Sequence, residues 1–245
     1  MKTVGIIPAR LKSTRLPSKA LIDIEGLPMI VHVFKRAQLS SVLDEVIVAT
    51  DSSEIFDIVT AAGGNAAITS DKHKTGTDRI AEAAAKKDCD IIVNIQGDEP
   101  LLDPDHIDKV VSPIIYNPDI NVSVLVAPYQ KKGSSSDIKA VLDLEGNILY
   151  CSRADIPDTS RVKIDFLWKM CFIVPFRKDF LMQYTAWEQT PLENIEYNEY
   201  LRILEHGYKI RAVPVDNAVI SVDTMEDLEI VREKMKQDKT KLRYM

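Results

Sequence analysis

Residues 4–20 read VGIIPARLKSTRLPSKA and predict a buried strand that leads into a basic loop. The apolar run ends at Pro8, and no acidic residue follows it in this stretch, although the chain carries a formal net charge of -6. The basic residues of the loop are Arg10, Lys12, Arg15 and Lys19. Open α/β sheets hold ligands at the carboxyl ends of strands, and several cations together suit a polyphosphate. A solvated charged loop is the alternative, but the buried strand before it favours a phosphate site.

The 245-residue chain has the composition of a globular protein with a substantial core, at 45% hydrophobic and 28% charged residues. Its acidity argues against general nucleic-acid binding. The three cysteines are widely spaced and predict reduced thiols in a cytoplasmic protein. No apolar run approaches the length of a membrane span, and the N-terminus lacks a signal-peptide pattern. We therefore expect neither a membrane segment nor a secretory leader.

Strands and helices alternate through the first half of the chain, which predicts right-handed crossovers in a parallel sheet. The predicted strands there are 3–7, 44–50, 65–69, 90–96 and 121–127, and the predicted helices are 28–38, 52–62, a helix capped by Thr77 that runs to 87, and 104–116. The second half predicts a hairpin around Glu145-Gly146, strands 168–176 and 209–215, helices 177–184 and 195–206, and a last helix opened by a Thr224–Asp227 capping box. The charged tail 237–245 is expected to fray.

This order of elements predicts a single α/β domain over 1–245, with a Rossmann-like three-layer fold and a mixed, mostly parallel sheet. Residues 1–127 form the predicted nucleotide-binding half. Residues 128–245 combine antiparallel strands with helices, and we expect them to hold the acceptor site and any subunit contact.

Two acidic motifs far apart in the chain predict a metal site. Residues 94–100 read NIQGDEP, so a buried strand is followed by Gly97 and the carboxylate of Asp98. Residues 221–224 read SVDT and put Asp223 directly before the last helix. Mg²⁺ prefers carboxylate oxygens together with substrate phosphates, provided that the fold joins the two acids. The structural alternative is that each aspartate only caps the helix that follows it.

Residues 73–79 read HKTGTDR and place small residues at the start of a helix. Helix N-termini favour anions and carbonyl oxygens, so this turn is a candidate wall of the nucleotide pocket. A purely structural Asp78–Arg79 pair is the alternative. Asp51, which follows the second strand, is interpreted as a helix cap or turn residue.

Residues 152–157 read SRADIP and follow the predicted hairpin. An arginine in such a loop is a candidate ligand for a substrate carboxylate, because its guanidinium binds two oxygens at once. A surface salt bridge between Arg153 and Asp155 is the alternative, and it is the commoner outcome for such a pair.

Taken in order, these motifs resemble the 3-deoxy-manno-octulosonate cytidylyltransferase family, one of the nucleotide-sugar pyrophosphorylases. The matching segments are IIPARLKSTRLPSK, VIVATD, TGTDR, NIQGDEP, YCSRADIP, NEYLRILEHGYKI and VDTMEDLE, which span nearly the whole chain. The resemblance implies a nucleotide-diphospho-sugar transferase fold and a Mg²⁺-dependent reaction. In that reaction CTP and an acidic 3-deoxy sugar give a CMP-sugar, destined for lipopolysaccharide, and pyrophosphate. A homodimer is implied as well.

The resemblance also assigns roles to individual residues. The implied catalytic residues are Arg10, Lys19 and Asp98. The implied nucleotide-binding residues are Pro8, Ala9, Arg10, Leu11, Arg15, Lys19, Thr75, Gly76, Arg79 and Gln96. The implied metal ligands are Asp98 and Asp223, and the implied sugar-binding residues are Gln96, Arg153, Met170, Glu196, Glu199 and Tyr200.

Two departures from the family pattern fall where its members bind the sugar. A strand that usually reads Lys-His-x-Gly-Ile-Tyr is KMCFIV at 169–174, and the usual Leu-Glu-Gln-Leu-Arg is NEYLR at 198–202. Met170 and Tyr200 thus replace two side chains able to hydrogen-bond hydroxyls. Glycine is usual at two further positions, Ser18 and Ser221. We hypothesise a retained reaction on an altered sugar, such as the 8-amino-8-deoxy analogue. One alternative is that the enzyme acts on a nine-carbon sialic-type acid. The other is that the protein binds nucleotide without catalysis.

Overall fold

The computed structural model describes residues 1–11 and 16–245, which form two compact units. Unit 1 contains Met1–Asp108 and the C-terminal segment Val219–Met245, and unit 2 contains Lys109–Ala218. These bounds differ from the functional halves 1–127 and 128–245, which stay a prediction. No helix in the described part of the chain is both long enough and apolar enough to cross a bilayer.

The elements are numbered in chain order. The strands are β1 Thr3–Ala9, β2 Asp23–Ile24, β3 Leu27–Pro28, β4 Glu45–Thr50, β5 Asn65–Ile68, β6 Ile91–Ile95, β7 Ser123–Tyr129, β8 Lys139–Leu142, β9 Ile148–Ser152, β10 Leu167–Cys171, β11 Ile173–Arg177 and β12 Arg211–Pro214. The helices are α1 Met29–Ala37, α2 Ser53–Ala61, α3 Gly76–Ala85, α4 Pro104–Tyr116, α5 Lys178–Thr185, α6 Pro191–Glu196, α7 Leu201–Glu205 and α8 Met225–Lys236. Short 3-10 helices cover Lys19–Leu21 and Thr240–Arg243.

Unit 1 is built on parallel strands in the order β6-β1-β4-β5. β1 and β6 are buried along almost their whole length. A strand covered on both faces needs a continuous apolar run, which residues 4–7 and 91–93 supply. Because the strands are parallel, the chain leaves Ala9, Thr50 and Ile95 at the same end of the sheet. The predicted α/β class is confirmed, and the basic loop and the NIQGDEP motif both begin at this end.

A hydrophobic cluster packs α8 against the segments that carry the basic loop. Its members, each at most 5% exposed, are Leu16, Ile24, Met29, Val222, Leu228, Val231 and Met235. The capping box of Thr224 and Asp227 opens α8 as predicted. The C-terminal helix therefore supports both Leu16 at the end of the basic loop and the residue before Asp223.

The prediction of a frayed tail is wrong for its last residues. The hydroxyl of Tyr244 donates to Nδ1 of fully buried His32 at 2.8 Å, and Nε2 of His32 donates to the carbonyl of Ile24 at 2.6 Å. Asp238 pairs with Arg36 at 3.0 Å. These partners lie about two hundred residues earlier in the chain, so no local pattern near the tail points to them.

Unit 2 is built on a second sheet, in the order β12-β7-β10-β8-β9. Its β12–β7 pair is parallel, and its β7–β10, β10–β8 and β8–β9 pairs are antiparallel. The predicted hairpin is present between β8 and β9. Asn147 N–H donates to Asp143 Oδ1 at 2.7 Å, and Gly146 takes a left-handed φ of 80° that suits glycine. The predicted antiparallel and helical character of this part of the chain is confirmed.

Two predicted elements of unit 2 are broken in the structure. The predicted strand 168–176 is two strands, β10 and β11, separated at Phe172. The predicted helix 195–206 is wrong, because α6 ends at Glu196 and Tyr197 takes a left-handed φ of 50° before α7 begins. A non-glycine residue with positive φ carries no signal in its own type, so the sequence alone did not reveal this break.

Candidate active site

A cleft of about 320 Å³ in unit 1 gathers most of the residues expected to bind nucleotide and metal. The expected residues that line it are Pro8, Ala9, Arg10, Lys19, Thr75, Gly76, Arg79, Gln96, Asp98 and Asp223. Other lining residues that had no assigned role are Ala20, Met29, His73, Lys74 and Gly97. Leu11 is partly buried and outside this lining set, and Arg15 lies outside the described residues.

The ammonium of Lys19 joins two acids that are far apart in the sequence. Its Nζ donates to Asp98 Oδ2 at 2.7 Å and to Asp223 Oδ1 at 3.0 Å. The three side chains are partly exposed, at 17% for the lysine and 26% and 33% for the acids. The convergence that a metal site requires is therefore present. Neither acid acts merely as a helix cap, since Thr224 caps α8 and Asp98 lies well before α4.

The donor set formed by Asp98 and Asp223 suits an oxygen-ligated divalent cation. Both carboxylates approach one cationic atom, the Lys19 ammonium, within hydrogen-bonding distance. Mg²⁺ is commonly bound through one or two carboxylates, with waters and substrate phosphates as the remaining ligands. The residues present thus fit such an ion, while their role as metal ligands stays a prediction.

Backbone geometry fixes the positions of Lys19 and Asp98. Ser18 takes a left-handed φ of 52° and opens the 3-10 turn that carries Lys19. Val222 N–H donates to the carbonyl of Asp98 at 2.9 Å, which ties the end of β6 to the segment before Asp223. A Cβ on Gly97 would lie 2.9 Å from the carbonyl oxygen of Pro8. Only glycine lets the chain after β6 pass this close to β1.

The first turn of α3 borders the cleft through Thr75 and Gly76. Thr75 is the N-cap, with its hydroxyl accepting from Asp78 N–H at 3.1 Å and its own N–H donating to Asp78 Oδ2 at 3.2 Å. The predicted cap at Thr77 is therefore wrong, and Asp78 belongs to a capping box. A helix N-terminus beside a cleft favours a negatively charged ligand.

Arg79, also in the first turns of α3, has two partners from neighbouring strand ends. Its Nη2 donates to Asp51 Oδ2 at 2.9 Å, and its Nη1 donates to Thr69 Oγ1 at 2.6 Å. Arg79 is 5% exposed yet lines the cleft. Asp51 lies in the turn between β4 and α2, as expected, but the alternative of a helix cap is wrong, since Ser52 caps α2. Asp51 is in addition an ion-pair partner of Arg79.

His73 and Gln96 complete the polar lining of the cleft. His73 Nε2 contacts Glu82 in a short hydrogen bond, which holds the pKa of that carboxyl below its usual range. Gln96 Nε2 donates to Asn94 Oδ1 at 3.1 Å. His73 and Gln96 belong to the HKTGTDR and NIQGDEP motifs, so the sequence indicated that they lie near the site. Met29 belongs to an ordinary apolar helix pattern, and nothing in the sequence indicated that it lines the cleft.

Unit 2 holds the other residues expected to bind the sugar, and Arg153 has an internal role there. Its Nε donates to the carbonyl of Glu196 at 2.8 Å and its Nη2 to that of Tyr197 at 3.0 Å. Its Nη1 donates to the carbonyls of Ser135 and Ser136 at 2.8 and 3.3 Å. Four backbone oxygens therefore surround this guanidinium and fix the loops on either side of it.

Lys139 is a second cation with an internal role in unit 2. Its side chain is fully buried, and Nζ donates to the carbonyls of Ser134 at 2.6 Å and Asp137 at 2.8 Å and, in a shorter bond, to that of Arg153. Asp155 Oδ1 lies 3.5 Å from the same ammonium. The suggested alternative of an Arg153–Asp155 bridge is thus replaced by an Asp155–Lys139 pair.

Three other sugar-side candidates also make internal contacts. Glu196 accepts from Ser152 Oγ at 2.6 Å and from Arg153 N–H at 2.9 Å. Burial alone would raise the pKa of Glu196, but these hydrogen bonds and one from Tyr150 outweigh it and lower the pKa. Met170 is fully buried in β10, and Tyr200, 4% exposed, stacks on Phe172.

The backbone of Glu199 takes part in the same packing, because Tyr184 donates its hydroxyl to the Glu199 carbonyl at 2.9 Å. The contacts of these residues with a sugar stay predictions, as does the sugar contact of Arg153.

Comparisons with known proteins agree with this fold. The sequence profile of the cytidylyltransferase family matches residues 4–210. The chain is 42% identical to the 3-deoxy-manno-octulosonate cytidylyltransferase of Geotalea daltonii, covering 96% of this chain and 99% of that protein. It is 41% identical to the protein of the same name from Geobacter metallireducens, covering 96% of this chain and 98% of that protein.

A solved structure of CMP:2-keto-3-deoxy-manno-octonic acid synthetase in complex with CTP superposes with a TM-score of 0.93. It is 36% identical and covers 97% of this chain and 99% of that one. The fold is that of the nucleotidyltransferase class. Within that class, the chain belongs to the 3-deoxy-manno-octulosonate cytidylyltransferase family.

Proposed function

We propose that this protein transfers the cytidylyl group of CTP to a 3-deoxy-ulosonic acid and releases pyrophosphate. The observation that carries the proposal is the joining of Lys19, Asp98 and Asp223 in a cleft that Arg10 also lines. A site for a triphosphate needs cations, and a site for its metal needs carboxylates. The names of the related proteins, and the CTP bound in the solved relative, support the choice of CTP and of an ulosonic acid.

In the proposed reaction, the anomeric hydroxyl oxygen of the sugar attacks the α-phosphorus of CTP. A new P–O bond forms to the sugar, the bond from the α-phosphorus to the bridging oxygen breaks, and pyrophosphate leaves with the electron pair. The hydroxyl proton passes to water. In transfers of this kind the protein mainly positions both partners and neutralises charge.

The chain's own residues account for that positioning. Arg10 and Lys19 neutralise the charge that builds on the phosphates, and the paired acids hold the lysine ammonium in the cleft. The turn at Thr75 and Gly76 offers helix N–H groups to the nucleotide. Asp98 and Asp223 would hold Mg²⁺, which supplies charge neutralisation on the triphosphate and acidifies the attacking hydroxyl when bound.

For the sugar, we propose a KDO-type acid and, more narrowly, its 8-amino-8-deoxy analogue. The support is the split between nearly intact CTP and metal motifs and the two altered sugar-side positions, Met170 and Tyr200. Met170 offers no hydroxyl-binding group and is fully buried, and Tyr200 is held against Phe172. A site that loses hydrogen-bonding partners for a hydroxyl discriminates against the sugar that carries it.

The test is pyrophosphate release from CTP and Mg²⁺ with KDO, 8-amino-8-deoxy-KDO and a nine-carbon sialic-type acid as acceptors. We expect release with the KDO-type acids and a higher kcat/KM for the amino sugar. Equal or better turnover of KDO would remove the 8-amino assignment but keep the reaction. Preference for the nine-carbon acid would replace the sugar class. Binding of CTP without release from any acceptor would refute catalysis.

A cytoplasmic location, a homodimer and a place in lipopolysaccharide synthesis belong to the same proposal. They rest on the family resemblance and on the substrates named for the relatives. Sedimentation of the purified protein would test the dimer, and a monomer at all concentrations would refute that part alone.

A further inference from the structure

We propose that Asp51 is a positioning residue for nucleotide binding, acting through Arg79. This rests on the proposed function and on the nucleotide-binding role that the family resemblance implies for Arg79. Asp51 follows β4, and its carboxylate accepts from Arg79 Nη2 at 2.9 Å. Asp51 is absent from the lining of the cleft, whereas Arg79 is part of it. The acid therefore acts on the cation and not on the ligand.

The contacts of Arg79 fix its guanidinium in one orientation. Asp51 holds Nη2 and Thr69 holds Nη1, so both terminal nitrogens are tied to neighbouring strand ends. Thr69 is itself fixed, because its N–H donates to the Thr50 carbonyl at 2.9 Å. A guanidinium has five N–H donors in a rigid fork. Anchoring one donor on each terminal nitrogen fixes the direction of the remaining donors before any ligand arrives.

The charge of Asp51 is also needed because Arg79 is 5% exposed. A buried cation without a partner is costly and shifts toward water or another acid. Asp98 and Asp223 line the same cleft, so a released guanidinium has other carboxylates to turn to. Misplacement of a binding group by about 1 Å costs up to roughly a hundredfold in rate or affinity.

The chain contains a matched ion pair at the opposite end of the same strand. Glu45 opens β4, and its carboxylate accepts from Lys87 Nζ at 2.7 Å. Lys87 follows α3, the helix that carries Arg79. Glu45 and Asp51 are 24% and 23% exposed, and both link β4 to a basic residue of α3 or just after it. Only the pair with Asp51 touches the cleft lining.

The experiment compares Asp51→Asn with Glu45→Gln in the full-length protein. CTP affinity is measured by calorimetry, and KM for CTP and for the sugar by pyrophosphate release. We expect Asp51→Asn to weaken CTP binding by roughly ten- to a hundredfold, with the sugar KM changed less than threefold. Glu45→Gln should keep CTP affinity within about twofold. Thr69→Val should weaken CTP binding by a smaller factor, and Thr69→Ser should restore it.

A double-mutant cycle tests whether Asp51 acts through Arg79. In an Arg79→Met background, Asp51→Asn should add less than about a twofold further loss, because the group that it orients is gone. Equal CTP affinity in the wild type and Asp51→Asn overturns the proposal, as does a full additional loss in the Arg79→Met background. A wild-type protein that binds no CTP would refute the proposed function instead. If Asp51→Asn fails to fold, Thr69→Val takes its place in the same measurements and in a double-mutant cycle with Arg79→Met. Unchanged CTP affinity in Thr69→Val then overturns the proposal.

Discussion

Two cations of unit 1 and two cations of unit 2 differ in their main partners. In unit 1, Lys19 and Arg79 each pair with carboxylates, and both line an open cleft. In unit 2, Lys139 and Arg153 bind backbone carbonyl oxygens on two sides of a loop. A cation held by side-chain carboxylates at a cleft lies beside the space that a ligand would occupy. A cation held by several backbone oxygens is part of the fold, because its release takes a shared donor from all of those carbonyls.

This difference in partners distinguishes residues to which the family resemblance assigns similar ligand-binding roles. Arg10, Lys19 and Arg153 all match a family motif, yet only the first two line a cleft in the unit that contains them. We infer that substitutions at the unit 1 cations act on turnover, and that substitutions at the unit 2 cations act first on stability. The following predictions test that contrast in decreasing order of expected effect.

Substitution of the cleft cation or its acid partner should give the largest effect. Lys19→Ala and Asp98→Asn should each lower kcat by roughly a thousandfold, the scale of a lost transition-state charge contact. Thermal stability should change little, because both side chains are partly exposed. Pyrophosphate release and calorimetric unfolding measure the two effects. Full activity in either variant contradicts its role, and Glu45→Gln serves as the charge-removing control.

Removal of the buried lysine in unit 2 should act in the opposite way. Lys139→Met leaves three carbonyl oxygens without their donor and leaves Asp155 without its cation. We expect a loss of about 3–5 kcal/mol in the free energy of unfolding. The CTP affinity of the folded fraction should stay unchanged. Denaturant unfolding measures the stability, and calorimetry measures the CTP affinity. A Lys139→Met protein that keeps its full stability but loses CTP affinity would contradict the contrast between the units.

The contrast between the units also shows how far the sequence alone reaches. The apolar run before Pro8 and the paired glycine and acid at Gly97 and Asp98 predicted the parallel sheet and its ligand end, because strand burial and turn chemistry are local. The joining of Asp98 and Asp223 was a conditional prediction, since only the fold brings them to Lys19. The break at Tyr197 and the Asp51–Arg79 pair were missed, because one depends on a backbone angle and the other on neighbouring strand ends.

The carboxylate of Asp137, in unit 2, makes part of the folding stability depend on pH. Burial alone would raise its pKa, but hydrogen bonds from Lys169, Ser134 and Tyr129 outweigh burial and lower the pKa to about 2. A lowered folded-state pKa stabilises the fold above the unfolded value near 3.8, and that contribution disappears as the pH falls through about 2.

We therefore expect Asp137→Asn to lose about 2 kcal/mol at pH 7. The difference from the wild type should shrink steadily below pH 4. Urea unfolding at a series of pH values measures it, and a difference that grows on acidification would show that the carboxylate is not stabilised by these donors.

The smallest effect is expected at a backbone angle beside the cleft. Ser18 takes a left-handed φ of 52° directly before Lys19, a conformation that costs a residue with a Cβ about 1 kcal/mol or more. Glycine adopts that angle freely but loses more entropy on folding, so Ser18→Gly should stabilise the protein by only about 0.5 kcal/mol. Ser18→Ala keeps the Cβ and should give no gain.

Tyr197, at φ 50° after Glu196, offers the same comparison in unit 2, where Tyr197→Gly should give a similar small gain. Turnover distinguishes the two sites. Extra freedom before Lys19 should lower kcat by a few-fold if the strained turn holds the ammonium in place. The same change at Tyr197 should leave kcat for saturating substrates nearly constant, since its backbone carbonyl is an anchor for Arg153 and remains available in glycine. A larger loss of kcat in Tyr197→Gly than in Ser18→Gly would contradict the inference that unit 1 positions act on turnover and unit 2 positions act on stability.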